Sequence, residues 1–145
     1  MPNDPHRTIR NWFIGSIGAL IAVVLVARPV LAQRHVIEVL ADKDSRYKIA
    51  GQSKAKITVK AGEQLLLRIT ARKGTSWDED GSVHGFVLLR TKDHSKVPGW
   101  DFSLKPGTQE FEVSAPAEAG DYEVICTVIC SDEHEGMRMK FVVLP

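Results

Sequence analysis

Residues 57–70 read ITVKAGEQLLLRIT, and the alternation within this stretch decides the fold class. Ile57 and Val59 stand between polar neighbours, and after Ala61-Gly62 an apolar residue occupies every second position from 65 to 69. Successive side chains of a β-strand point to opposite faces, so this alternation predicts two strands, each with one buried face. The Ala-Gly step between the two runs predicts the turn that joins them.

Similar runs continue to the end of the chain. They predict further strands at Val83–Leu89, Phe111–Val113, Tyr122–Cys126 and Met137–Leu144, with weaker candidates at His35–Val39 and Tyr47–Ala50. Pairs such as Pro98-Gly99 and Pro106-Gly107 predict breaks between strands. Roughly seven or eight strands without intervening amphipathic helices predict an all-β fold, a two-sheet antiparallel Greek-key sandwich.

Composition and charge limit the possible functions. The chain has 145 residues, 43% of them hydrophobic, a formal charge of +1 and two cysteines. This length fits one globular domain, and the charge gives no basic excess for binding a nucleic acid. Two cysteines are too few for a disulfide scaffold, so we expect an apolar core to stabilise the fold and leave the thiols free for chemistry.

The first part of the chain has the pattern of an export signal. Basic residues precede the apolar run Trp12–Val26, and Val30-Leu31-Ala32 then places small residues where signal peptidase reads the chain. A helix of this run would span about 22 Å, less than the roughly 30 Å hydrocarbon core of a bilayer. We therefore predict that residues 1–32 are a signal peptide. An uncleaved membrane anchor is the alternative, and membrane contact would then be confined to residues 12–31.

Both alternatives export the remainder of the chain. Residues 33–145 form the predicted globular domain, which would lie in the periplasm or at the periplasmic face of the inner membrane.

Four potential metal ligands lie close together near the C-terminus. Cys126, Cys130, His134 and Met137 have the spacing C-x3-C-x3-H-x2-M, in the loop between the last two predicted strands. Thiolates and thioethers are soft ligands and imidazole is intermediate, so a set that mixes the three favours copper and excludes the hard cations. This loop is the predicted metal site.

The alternation of side chains along a strand predicts that Cys126 and Met137 face the interior. Two inward faces are expected, Tyr122-Val124-Cys126 and Met137-Met139-Phe141-Val143. A metal held between the end of one buried strand and the start of the next would be shielded from water and still lie near the surface. Such a position suits electron exchange.

A second imidazole is expected at His84. This residue stands in the apolar run SVHGFV, where burying an uncommitted polar ring costs free energy. Apart from His134, His6 lies in the predicted signal, and His35 and His94 lie in polar surroundings. His84 is therefore the candidate ligand outside the loop.

Three stretches together resemble a cupredoxin domain: residues 57–70, Val83-His84-Gly85-Phe86 and Gly120–Met137, which reads GDYEVICTVICSDEHEGM. The spacing in the last stretch resembles the binuclear CuA centre of cytochrome c oxidase subunit II and nitrous-oxide reductase. The resemblance covers about residues 33–145. It implies a copper protein that relays single electrons to or within a terminal-oxidase-type respiratory chain.

The resemblance also implies a role for each candidate ligand. Cys126 and Cys130 would be thiolates that bridge two coppers, with His84 and His134 as terminal imidazoles and Met137 as a weak thioether ligand. The backbone carbonyl of Val128 would stand where the family uses a main-chain oxygen. One electron's charge would then be spread over two metals and two sulfurs, so its transfer would need little change in geometry.

Two features of the oxidase subunit do not occur in this sequence. Its two-helix membrane hairpin is absent, and its tryptophan-rich stretch corresponds here to His35–Val39. Val128 also replaces the acidic residue that the family has between its two cysteines. We therefore expect a stand-alone or singly anchored electron carrier, without catalysis by the domain alone.

Other interpretations of the same residues remain open. The two cysteines of an exported protein can form a disulfide, and with His84 and His134 they can make a Cys2His2 zinc site. A mononuclear blue-copper site needs only Cys130, the two histidines and Met137. A periplasmic copper-handling protein would use the same soft ligands to take up or deliver metal.

Acidic residues surround the candidate ligands. Asp132, Glu133 and Glu135 flank His134, and Asp78-Glu79-Asp80 precedes the His84 strand. Such residues usually form a solvated surface, but they can also steer a basic redox partner such as a c-type cytochrome. Trp77 and Trp100 are expected to pack over the loops, with surface electron entry as the alternative.

Overall fold

The computed structural model describes residues 34–145, so the predicted signal or anchor at 1–32 lies outside the described residues. Nine strands make up this part of the chain: β1 (His35–Asp42), β2 (Arg46–Lys48), β3 (Lys56–Lys60), β4 (Gln64–Ala71), β5 (His84–Arg90), β6 (Lys96–Leu104), β7 (Gly107–Ser114), β8 (Gly120–Ile125) and β9 (Arg138–Leu144). One 3₁₀ turn, His134–Gly136, precedes β9. No helix among the described residues is long and apolar enough to span a membrane.

The strands form two sheets. One has four strands in the order β2-β1-β4-β7, and the other has five in the order β3-β9-β8-β5-β6. Side chains from the inward faces of both sheets make one apolar core. The predicted all-β two-sheet sandwich is confirmed.

The pairing within the sheets is mixed, which corrects the expectation of antiparallel pairing throughout. β1 pairs with β4 in parallel, and β3 pairs with β9 in parallel, while the other five pairings are antiparallel. A period of two describes the burial of a strand in either orientation, so the sequence pattern does not distinguish them. Both parallel pairs join strands that are distant in sequence, as parallel pairing requires.

The pair Pro98-Gly99, expected to separate two strands, instead lies inside β6. β6 is at the edge of its sheet, where a missing backbone N–H is tolerated, and Gly99 has φ 78°, which glycine adopts without strain. Trp100 on this strand is buried and packs edge-to-face on Phe141, with 5.1 Å between ring centroids. It is a core residue and does not cover a loop.

The predicted inward faces of the last two strands are confirmed. All seven residues of the two faces are buried, whereas Arg138 and Lys140 between them are exposed. The backbone N–H of Cys126 donates to the carbonyl oxygen of Met137 at 3.2 Å, which joins the two ends of the intervening loop. The loop with the candidate ligands is therefore closed at its base and fixed to the core.

Candidate metal centre

Three of the predicted ligands meet at one end of the sandwich. His84 begins β5, Cys126 directly follows β8, and Cys130 lies four residues further on. One imidazole nitrogen and the two sulfur atoms all lie within 4.8 Å of one another, and all three residues are buried. The fold brings these groups together from one strand and one loop.

The His84 ring has one nitrogen bound and one free. Nε2 lies 2.8 Å from the carbonyl oxygen of Arg72 and must carry the proton of this hydrogen bond, because a carbonyl only accepts. Nδ1 is buried and has no hydrogen-bond partner. Burial lowers the pKa of His84, although the Arg72 carbonyl and the Asp42 carboxylate act in the opposite direction. A neutral ring with a bare, buried lone pair has the form in which imidazole binds a metal.

The two sulfur atoms are close enough to bind the same metal ion. Cys126 Sγ and Cys130 Sγ are 3.9 Å apart, and both cysteines are free. A disulfide would need a separation of about 2.05 Å. Two thiolates that bind one tetrahedral metal at about 2.3 Å lie about 3.8 Å apart. The geometry thus fits metal ligation better than a disulfide.

Backbone groups surround the Cys126 sulfur. The Gly85 N–H donates to this sulfur at 3.3 Å, and the Val128 carbonyl oxygen lies 3.3 Å from it. Burial raises the pKa of the Cys126 thiol to about 11, against the opposing effect of these backbone groups. The metal-free protein therefore holds a protonated thiol at neutral pH, and a cation that binds must displace its proton.

Two glycines allow the backbone to pack closely around the cysteines. A Cβ on Gly74 would lie 2.6 Å from the Cys130 carbonyl oxygen, and a Cβ on Gly85 would lie 2.3 Å from Thr127 Oγ1. The Ser76 N–H donates to the same Cys130 carbonyl at 3.1 Å. The segment between β4 and β5 thus packs directly on the backbone of the loop that carries the candidate ligands (residues 126–137, the ligand loop).

The other two predicted ligands lie on the same loop but are held differently. His134 is half-buried and its Nδ1 faces the Ser131 carbonyl oxygen at 3.1 Å, outside the cluster of His84 and the two sulfurs. Met137 is fully buried, and its N–H donates to the His134 carbonyl oxygen at 2.9 Å. Ligation by His134 through Nδ1 would require its ring to leave Ser131.

Sequence reasoning missed two residues beside the cluster. Ser45 Oγ lies 3.6 Å from Cys130 Sγ, and the Tyr47 hydroxyl donates to the Gly85 carbonyl oxygen at 2.5 Å. Burial raises the pKa of Tyr47 well above its ordinary value, with the two nearby thiols adding to the effect, so it stays a neutral donor. Both residues precede the site by far in sequence, and no local pattern marks them.

Two large apolar side chains are exposed near the candidate ligands in sequence, and Lys73 Nζ lies 3.1 Å from the centre of the ring of one of them, Trp77. Trp77 is 50% exposed and Ile129 is 61% exposed, and their chain neighbours Ser76 and Cys130 are hydrogen-bonded to each other. Five exposed carboxylates stand near them in sequence, and none forms an ion pair within residues 34–145: Asp78, Glu79, Asp132, Glu133 and Glu135.

Solved structures show what the fold resembles. Auracyanin A, a "blue" copper protein from the green thermophilic photosynthetic bacterium Chloroflexus aurantiacus, is 22% identical with a TM-score of 0.53, over 75% of this chain and 98% of that one. A chain of a heme-copper terminal oxidase dimer is 16% identical with a TM-score of 0.54, over 88% of this chain and 83% of that one.

A third similar structure is the auracyanin of the photosynthetic bacterium Roseiflexus castenholzii. It is 17% identical with a TM-score of 0.50, over 77% of this chain and 98% of that one. No family model matches the sequence, and no curated protein matches it. Structural similarity at this level of sequence identity shows the fold alone. The described part of the chain has the cupredoxin fold.

Proposed function

We propose that this chain is an exported copper protein that relays single electrons through a thiolate-bridged binuclear centre. One observation carries the proposal: two free, buried thiols stand 3.9 Å apart, and a ring nitrogen of His84, whose Nδ1 has no hydrogen-bond partner, lies within 4.8 Å of both sulfurs. A buried acceptor without a partner costs free energy, and a bound metal ion would remove that cost. The residues present thus fit a metal ion.

The donor set favours copper over other metals. Two thiolates and an imidazole suit soft or borderline ions, and the thioether of Met137 adds a ligand that zinc sites rarely use. In the proposed centre Cys126 and Cys130 would be the thiolate ligands that both coppers share, and His84 and His134 would each hold one copper. Met137 and the carbonyl of Val128 complete the set as weak ligands. Copper held this way would supply a one-electron couple, and the sandwich would keep the ligands in place in both oxidation states.

The similar structures support copper chemistry of two kinds. Auracyanin A is described as a "blue" copper protein, and the other chain comes from a heme-copper terminal oxidase. The second candidate function is therefore a mononuclear blue-copper carrier that uses His84, Cys130, His134 and Met137. That arrangement leaves the buried thiol of Cys126 without a role, although it lies 3.9 Å from Cys130 Sγ. We favour the binuclear centre for this reason.

Copper stoichiometry together with an electron paramagnetic resonance spectrum tests the proposal. Reduced apoprotein reconstituted with copper is expected to hold two coppers per chain and to give a seven-line hyperfine pattern, because the unpaired electron is shared by two nuclei. One copper with a four-line pattern would support the mononuclear carrier instead. Cysteines joined in a disulfide, with no copper bound after reduction and reconstitution, would contradict both.

A third possibility, copper handling, differs in how firmly the metal is held. An electron relay keeps its copper through repeated cycles of reduction and oxidation in the presence of a chelator. Ready transfer of Cu(I) from the loaded protein to a copper-free acceptor protein would indicate a handler. Metal content before and after such cycles distinguishes the two functions.

We infer further that the partner is a basic redox protein such as a c-type cytochrome. Trp77 and Ile129 expose apolar surface next in sequence to the hydrogen-bonded Ser76 and Cys130, with Lys73 Nζ over the Trp77 ring. The five unpaired carboxylates near them in sequence would attract a basic surface. Reduction by a basic cytochrome c is expected to slow as salt is raised, since exposed charges are screened over about 8 Å at physiological ionic strength. A rate independent of salt would contradict steering.

A further inference from the structure

The turn between β1 and β2 places a buried hydroxyl against one of the candidate bridging sulfurs. Ser45 is 4% exposed, and its Oγ lies 3.6 Å from Cys130 Sγ. Its backbone has φ 56°, in the left-handed region that residues other than glycine seldom adopt, and its N–H donates to the Asp42 carbonyl oxygen at 3.1 Å. A glycine would fit this backbone with less strain, so the side chain is the feature that needs an explanation.

The hydrogen bonds around Ser45 leave its proton available for Cys130. The Glu133 N–H, which can only donate, lies 3.1 Å from Ser131 Oγ. Ser131 Oγ in turn lies 2.5 Å from Ser45 Oγ. Because Ser131 accepts from the backbone, its own proton is available to Ser45. When Ser131 donates to Ser45, the Ser45 proton is left for Cys130 Sγ, and a thiolate at Cys130 can only accept a hydrogen bond.

We propose that Ser45 is a positioning residue that donates a hydrogen bond to the Cys130 thiolate and thereby raises the reduction potential of the metal centre. The inference rests on the proposed function of the site. A donor at the sulfur withdraws electron density from it and weakens its donation to the metal, which favours the reduced state; hydrogen bonding around a cysteine sulfur is a known determinant of copper potentials. Ser45 acts through Cys130 and does not itself bind metal.

A purely structural role is the competing explanation. The short Ser45–Ser131 contact ties the β1–β2 turn to the ligand loop, and loss of that tie alone could loosen the loop. Three variants separate the two roles. Ser45→Ala and Ser45→Gly both remove the donor, and glycine also removes the backbone strain. Ser131→Ala breaks the tie between turn and loop and leaves the Ser45 hydroxyl free to donate to Cys130.

The experiment measures the reduction potential, the sulfur-to-copper charge-transfer absorption and the unfolding temperature of the copper-loaded variants. We expect Ser45→Ala and Ser45→Gly to lower the equilibrium constant for reduction by a fixed donor on the order of threefold, about 30 mV for a one-electron couple. The charge-transfer band should move to longer wavelength, because the sulfur becomes richer in electrons. Ser131→Ala should lower the unfolding temperature with less than half of the shift in potential.

The outcomes are distinguishable from those that test the function itself. Wild-type potentials in both Ser45 variants, or an equal shift in Ser131→Ala, would overturn the role of Ser45 and leave the electron relay intact. A wild-type protein without a reversible copper couple would overturn the relay and this inference with it. Should Ser45→Ala fail to fold, Ser45→Gly still gives the measurement, because its backbone is compatible with φ 56°.

Discussion

The Nε2–H of His84 donates to the carbonyl oxygen of Arg72 at 2.8 Å, and this bond determines which nitrogen of the ring is free. The free nitrogen, Nδ1, is buried and has no partner. An unsatisfied buried acceptor costs about 1–3 kcal/mol, so the free Nδ1 lowers the folding stability of the metal-free protein. The second histidine of the proposed centre, His134, has its Nδ1 at a backbone carbonyl instead. Of the two proposed imidazole ligands, His84 is therefore the one with an Nδ1 that is free of a hydrogen bond.

Replacing His84 with alanine is expected to weaken copper binding by at least about 100-fold, since loss of even an indirect ligand partner costs about 10- to 100-fold in metal affinity. Competition with a chelator of known affinity measures the change. His94→Asn is the matched control, because His94 is exposed and its φ of 58° is one that asparagine tolerates. Wild-type affinity in His84→Ala would exclude this ring as a ligand.

Replacing each cysteine in turn with serine tests whether both sulfurs bridge two coppers. In a binuclear centre either Cys126→Ser or Cys130→Ser removes a shared ligand, so both variants are expected to hold at most one copper and to lose the seven-line spectrum. A mononuclear site that uses only Cys130 predicts an asymmetric result. Copper would then be retained in Cys126→Ser and lost in Cys130→Ser. Metal analysis of the two purified proteins decides between these results.

The sequence predicted the parts of the fold that depend on local alternation. The inward faces of β8 and β9 are as expected because burial in a strand repeats every two residues, whichever neighbour the strand has. The parallel pairing of β1 with β4 depends on long-range packing and leaves no local signal. β6 was missed because Pro98-Gly99 is typical of a turn, and only the edge position of the strand makes the pair acceptable.

The sequence likewise predicted only part of the candidate site. Cys126 and Cys130 stand in one short motif, and His84 could be inferred because a polar residue interrupts an apolar run. The closeness of these three groups is seen only in the folded chain. The contacts of Ser45 and Gly74 with Cys130 come from segments more than fifty residues away, and neither residue type is unusual in a turn.

Met137→Leu tests whether the thioether is a weak ligand. Met137 is fully buried, and leucine preserves most of its volume, so the free energy of unfolding should change by less than about 1.5 kcal/mol. A weak axial ligand tunes the potential more than it holds the metal. We therefore expect a shifted reduction potential with the copper content unchanged, measured by voltammetry and metal analysis. Loss of most of the copper would mean that the ligand is a strong one.

Gly74→Ala tests the close packing of the β4–β5 segment on the ligand loop. The new Cβ would lie 2.6 Å from the Cys130 carbonyl oxygen, which is backbone and must move. Overpacking of this kind costs about 1–3 kcal/mol, and here it would displace the backbone of a proposed ligand. We expect a lower unfolding temperature together with weaker copper binding. Gly136→Ala is the matched control on the same loop, because a Cβ there meets nothing within 4 Å.

Asp42 links the β1–β2 turn to the segment that orients His84, and its ion pairs should make stability depend on pH. Its carboxylate accepts from Lys48 Nζ at 2.7 Å and lies 3.6 Å from Arg72 Nη1. The Lys48 hydrogen bond is the largest cause that lowers the pKa of Asp42 below its ordinary value of 3.8, with the Lys43 N–H and Arg72 adding to it against the effect of burial.

A carboxyl group with a lowered pKa in the folded state stabilises the protein above its unfolded value and loses that effect as pH falls through the folded value. Asp42→Asn should therefore reduce the free energy of unfolding by about 1 kcal/mol at pH 7. The difference from wild type should shrink as pH falls below 3.8. Denaturant unfolding between pH 7 and 2 measures it, with exposed Asp121→Asn as the control. A difference that stays constant over this range would mean that the charge of Asp42 contributes nothing to stability.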